Sequence, residues 1–135
     1  IAAFWNILEQ TLHDCHGVKP VHSIAELELL MSRFPDEIKL YTARLGDKVL
    51  AGSLIFDCGK VVHTQYLAAS LEGKQLGALD LVINQLITKE YADREYLDFG
   101  ISTEDGGRVL NEGLAFQKET FGGHGVSYDA WEVML

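Results

Sequence analysis

Several things are scarce in these 135 residues, and each scarcity removes a class of protein. Basic side chains number 11 against 20 acidic ones, a formal net charge of −9, so the broad positive surface that neutralises nucleic-acid phosphates is missing and a general DNA binder is excluded. No apolar run approaches the roughly 20 residues that cross a membrane. Proline occurs only twice beside 13 glycines and 47% hydrophobic residues, which is a globular composition and not a disordered or fibrous one. Cysteine also occurs only twice: Cys15 and Cys58 read as free thiols of a cytoplasmic protein, a disulfide between them being the other reading. No charged leader with an apolar stretch behind it opens the chain, which starts at Ile1 without methionine, as the C-terminal part of a longer protein would. Linkers, repeats and low-complexity tracts are missing too, so one domain is expected over residues 1–135.

What is present is periodic. Phe4, Trp5, Leu8, Leu12 and Cys15 recur at helical spacing and predict an amphipathic helix to about Gly17. Ser23 and Glu26 form a capping box ahead of Ile24, Leu27, Leu30, Met31 and Phe34, a second helix closed by Pro35. The stretches 38–45, 48–57 and 60–69 read as strands joined by turns at Gly46-Asp47 and Cys58-Gly59. A helix over 77–91, a short strand over 95–99, a helix over 109–121 stopped by Gly122-Gly123, and a last strand over 126–134 complete the order. A meander followed by strand-helix-strand units is an α+β domain: a mixed, mostly antiparallel sheet flanked by helices, at least one on each face.

Asp98-Phe99-Gly100 spells the metal-binding tripeptide of protein kinases, but the glycine loop, strand lysine and His-Arg-Asp loop that a kinase needs are all absent upstream. The stretch 69–80, ASLEGKQLGALD, joins a strand to a helix start. Backbone amides there, with Gly73, Lys74, Gln75, Leu76 and Gly77, suit a phosphate or pyrophosphate; the plainer reading is that the glycines permit a turn and Lys74 is a surface residue. His13, Cys15 and His16, with His22 nearby, are spaced so that they do not converge on one metal, and no metal is expected. Phe4 and Trp5 could border a pocket, though an aromatic helix face is more often core.

The strand order and the glycine-bearing stretch after the third strand resemble the GNAT acyltransferase fold. Lys74-x-x-Gly77-Ala78-Leu79 stands where that family has Gln/Arg-x-x-Gly-x-Gly/Ala, with lysine first and leucine last. Tyr96 to Gly100 and Gly113, Leu114, Lys118, Phe121, Gly122 and Gly123 are similar to the C-terminal half of the bacterial Fem-type peptidoglycan bridge-forming aminoacyltransferases and their single-domain relatives, over roughly residues 23 to 135. The resemblance implies acetyl-CoA or another acyl-CoA as co-substrate. It implies donor contacts from the backbone of Tyr66, Leu67, Ala68 and Ala69 and from the 73–77 stretch, and an asparagine early in the next helix, here Asn111. The family's acid, a tyrosine seven residues later, is replaced by Lys118; Tyr128 is the substitute in view.

Transfer to an amine needs a base, oxyanion donors and an acid for the thiolate. Strand alternation puts His63 with Gln65 on one face and Thr64 with Tyr66 on the other. His63 is the expected base by its ordinary titration range, against the plainer reading of a surface or core histidine. Asp98 and Glu104 could orient the acceptor or take its proton, with a capping role for Asp98 as the rival, and Lys118 could pair with a carboxylate or the donor. The expected activity is acyl transfer to an amine or hydroxyl of a small molecule, sugar or cell-envelope precursor. Two alternatives stand beside it: a non-catalytic GNAT-like binding or assembly domain, and aminoacyl transfer from tRNA, which the acidity disfavours. A homodimer is compatible with either.

Overall fold

A computed structural model describes residues 1–135. The chain forms two compact units, Ile1–Gly100 and Ile101–Leu135.

The first unit opens with α1 (Ala2–His16), which ends on Gly17, and α2 (Ile24–Arg33). Ser23 starts α2 through the full capping box, its side chain accepting from the Glu26 N–H while the Glu26 carboxylate accepts from the Ser23 N–H. Strands β1 (Ile38–Leu45), β2 (Lys48–Asp57), β3 (Val61–Ala69) and β4 (Tyr96–Asp98) form one sheet in that order. The first three are antiparallel, and β3 and β4 run parallel through Val61, Val62 and His63.

Residues 49–55 of β2 are all buried, so both faces of the sheet are covered. On one face Leu54, Ala68 and Ile38 pack with Phe4, Trp5 and Leu8 of α1 and Leu27 of α2. Phe4 and Trp5 are core side chains, 1% and 4% exposed, and do not border a pocket. The other face, carrying Ala51, Ser53 and Ile55, is covered by α4 (Ala78–Gln85) and the π-helical turn Leu86–Glu90 that follows it. There Tyr41 and Tyr91 bring their hydroxyls to 3.1 Å, and burial followed by that hydrogen bond pushes the Tyr91 phenol well above its ordinary range.

The expected helix over 77–91 is present as α4 and the π-helical turn, residues 78–90, and a separate helix, α3 (Leu71–Leu76), precedes it. The cause lies in β2. A bulge leaves Leu50 without a partner on β1, and its carbonyl accepts from both the N–H and the hydroxyl of Ser70. Ser70, thus fixed, caps α3 by accepting from the Gly73 N–H at 3.0 Å. A Cβ at Gly73 would stand 2.2 Å from the Leu50 oxygen, so only glycine lets α3 approach the strand this closely.

In the second unit, β5 (Thr103–Glu104) and β6 (Val109–Leu110) form a hairpin, and α5 (Glu112–Thr120) follows. The helix expected from residue 109 therefore starts three residues later, at the Asn111 cap. The strand expected over 126–134 does not form: its apolar side chains, with Trp131 89% exposed, have no strand to pair with. No helix is long and apolar enough to cross a membrane.

Candidate active site

The parallel register sets His63 beside Asp98. Imidazole Nδ1 lies 2.8 Å from Asp98 Oδ2, while Oδ1 accepts from the Gly100 N–H at 2.8 Å and the Asp98 carbonyl accepts from Thr64 Oγ1 at 3.2 Å. One carboxylate therefore both holds the turn and orients the histidine. Gly100 has φ +77, and a Cβ there would sit 3.4 Å from His63 Cε1, so the glycine serves the turn under the ring. The tripeptide is a histidine support. In the tautomer whose Nδ1–H is donated to the carboxylate, Nε2 carries the lone pair, on a side chain that is 30% exposed.

Beyond His63 the ladder to β4 ends, and the outer edge of β3 has no strand beside it. The Ser70 N–H donates to the Leu50 carbonyl. In an antiparallel ladder successive residues point opposite ways, so Ala68 and Tyr66 turn their backbone groups into β2 while Ala69 and Leu67 turn theirs to the open edge. The Ala69 carbonyl accepts there from Thr11 Oγ1 at 3.4 Å. Of the four backbone positions expected at the donor, Leu67 and Ala69 face the open edge, and Tyr66 and Ala68 face β2.

A further bulge corrects the expected faces. Ile55 lies opposite Thr64 but Leu54 lies opposite Tyr66, so Gln65 is the extra residue. His63, opposite Phe56, and Tyr66, opposite Leu54, consequently share the face covered by α1 and α2, and Thr64 lies on the other.

The 73–77 stretch is not an open nest of amides. The Gly73 N–H is taken by Ser70, the Lys74 N–H bonds the Ser70 carbonyl, and the Gly77 N–H bonds the carbonyls of Gly73 and Lys74. Lys74, Gln75 and Leu76 are exposed on α3. What an anion would meet is the start of α4, which has no side-chain cap, with Lys74 one turn before it; Asp80 stands in that same first turn.

In the second unit Asn111 does not present a free amide. Its Oδ1 accepts from the Leu114 N–H and its Nδ2 donates to Glu104 Oε1, both at 3.0 Å. Lys118 Nζ donates to the Ile101 carbonyl at 2.7 Å and to Ser102 Oγ at 2.9 Å. Glu104 is thus brought together with Asn111, and Lys118 with the segment that opens the unit. Tyr128 is 85% exposed, and Cys15 and Cys58 are both free and exposed. His13 sits 3.3 Å from Asp14, whereas His22 reaches Tyr66, a pairing that sequence spacing did not signal. No group of three histidine, cysteine or acidic side chains is arranged around a metal.

A family profile described as an acetyltransferase (GNAT) domain matches residues 1–106. Among solved structures, a possible acetyltransferase from Clostridium difficile 630 superposes with a TM-score of 0.68 at 13% identity, over 99% of this chain and 89% of that one, a likeness that speaks to the fold. No curated protein matches the chain. The matched residues include the whole four-stranded sheet, its open β3 edge and the His63–Asp98 pair, and the chain belongs to the GNAT acetyltransferase family.

Proposed function

We propose that the chain moves an acyl group from acyl-CoA to an amine or hydroxyl of a small molecule, sugar or cell-envelope precursor, with His63 as the base. The observation that carries this is the 2.8 Å bond from His63 Nδ1 to Asp98 at the point where β3 and β4 part. Asp98 fixes the tautomer, Nε2 takes the proton of the attacking group, and the low ground-state cost of this transfer follows from a base that is already oriented. The edge amides of Leu67 and Ala69 would meet the acyl oxygen and the arm of the donor, and the start of α4 with Lys74 would meet its phosphates. The CoA thioester supplies the activated acyl group. The likeness of Asp98 to Gly100 and Gly113 to Gly123 to the Fem-type enzymes supports an acceptor of the cell-envelope class.

Calorimetric titration with acetyl-CoA, followed by turnover on a panel of amines, tests the reading. His63→Ala is expected to keep donor binding and to lower turnover by about 10²- to 10⁴-fold. Unchanged turnover removes His63 as the base. Binding without turnover on any acceptor favours the non-catalytic domain, for which the occupied amide of Asn111 already speaks.

A further inference from the structure

The bulge at Gln65 brings a second polar side chain onto the face of His63. Two groups of His22, in the connection between α1 and α2, converge on the Tyr66 hydroxyl: the backbone N–H donates to Oη at 3.3 Å and the ring Nδ1 lies 2.9 Å from it. Trp5 and His22 both meet the Tyr66 ring edge-on, at centroid distances of 5.7 and 6.0 Å, which fixes the direction of the phenol. When Nδ1 carries its hydrogen, Oη accepts twice and its own hydrogen is left for a third group.

A thioester acyl transfer has need of such a group, because the C–S bond breaks with its electron pair on sulfur and the thiolate must then take a proton. We propose that Tyr66, held by His22, is the general acid of the reaction, so that one face of one strand supplies both base and acid. The inference rests on the reading of β3 as the donor strand. Leu67, whose amide faces the open edge, is the next residue in the chain. In the step, the acceptor nitrogen bonds to the acyl carbon and gives its proton to His63 Nε2, the C–S bond breaks, and Tyr66 Oη gives its hydrogen to sulfur. Oη then regains a hydrogen from water, and His22 keeps its Nδ1–H throughout. One proton leaves to solvent from His63 and one enters at Tyr66, so each group returns to its starting state and the cycle balances. His22 touches no substrate and is a positioning residue.

The test needs no acceptor. Free CoA bound to the full chain is titrated, its thiolate followed by ultraviolet absorbance, in the wild type, Tyr66→Phe and His22→Ala. Tyr66→Phe keeps the ring against Trp5 and removes only the hydroxyl. The bound thiol is expected to ionise about one pH unit higher in Tyr66→Phe, a tenfold change in proton affinity, and by a smaller step in the same direction in His22→Ala. An unchanged titration in both variants, with CoA still bound, overturns the acid and leaves the donor-strand reading standing. Failure of the wild type to bind CoA overturns both. Should Tyr66→Phe not fold, His22→Ala decides alone, and an unchanged thiol titration there overturns the proposal.

Discussion

Up to Gly100 the chain buries Phe4, Leu27, Leu54, Ile55, Ile83 and Leu86 to under 2% exposure, whereas from Ile101 onward no side chain is buried and the contacts that shape the segment are polar. Asn111 caps α5 and bonds Glu104; Lys118 bonds the Ile101 carbonyl and the Ser102 hydroxyl. Apolar burial contributes about 25 cal/mol for each Å² removed from water, while a half-exposed hydrogen bond nets about 1 kcal/mol. The first unit is therefore expected to unfold cooperatively, and the second to open at little cost.

The largest expected effect is in the sheet. Leu54→Ala, at 1% exposure between α1, α2 and β3, is expected to lower the unfolding free energy by roughly 2 to 5 kcal/mol in urea titrations. Asn111→Ala is expected to cost about 1 kcal/mol, visible as faster amide exchange in residues 111–120 and not as a shift of the main transition. Equal losses in the main transition would break the contrast between the units. Gly73→Ala lies between these. A Cβ there meets backbone, the Leu50 carbonyl, which cannot swing aside as a side chain would, so about 1 to 3 kcal/mol of strain is expected. A variant as stable as wild type would show that α3 can lift off β2.

What could be read from the letters follows the same division. α1, α2 and the three-strand meander were legible because their apolar spacing matches burial on a face, and the capping box of α2 is a local signal. α3 was not, since Gly73 and Gly77 read as a loop until the Leu50 carbonyl supplies a reason for a capped helix turn. The alternating apolar residues of 126–134 show that strand propensity without a neighbour gives no strand. At the site, His63 and Asp98 were legible as residue types, but their bond depends on a parallel register between positions 35 apart. The placement of Tyr66 depends on a bulge that no residue at 64–66 announces, and its partner His22 lies 44 positions away.

The two helix caps sharpen the comparison with the smallest effect. Asn111 carries no titratable group, whereas Glu26 closes the box on α2, and its carboxylate is held below the ordinary value of 4.5 by the hydrogen bond from the Ser23 N–H and then by the Ser23 hydroxyl. The folded chain consequently binds fewer protons than the unfolded one as the carboxylate titrates. The stability contributed by the box is complete above the ordinary value and is lost as the pH falls through the lower folded value. Glu26→Gln keeps a hydrogen-bonding side chain and loses the charge. The difference in thermal midpoint between wild type and Glu26→Gln is therefore expected to be present near pH 7 and to vanish as the pH falls below the lowered folded value. A difference that persists unchanged into acid would assign the cap to shape and hydrogen bonding alone, and the start of α2 would then be held as the start of α5 is.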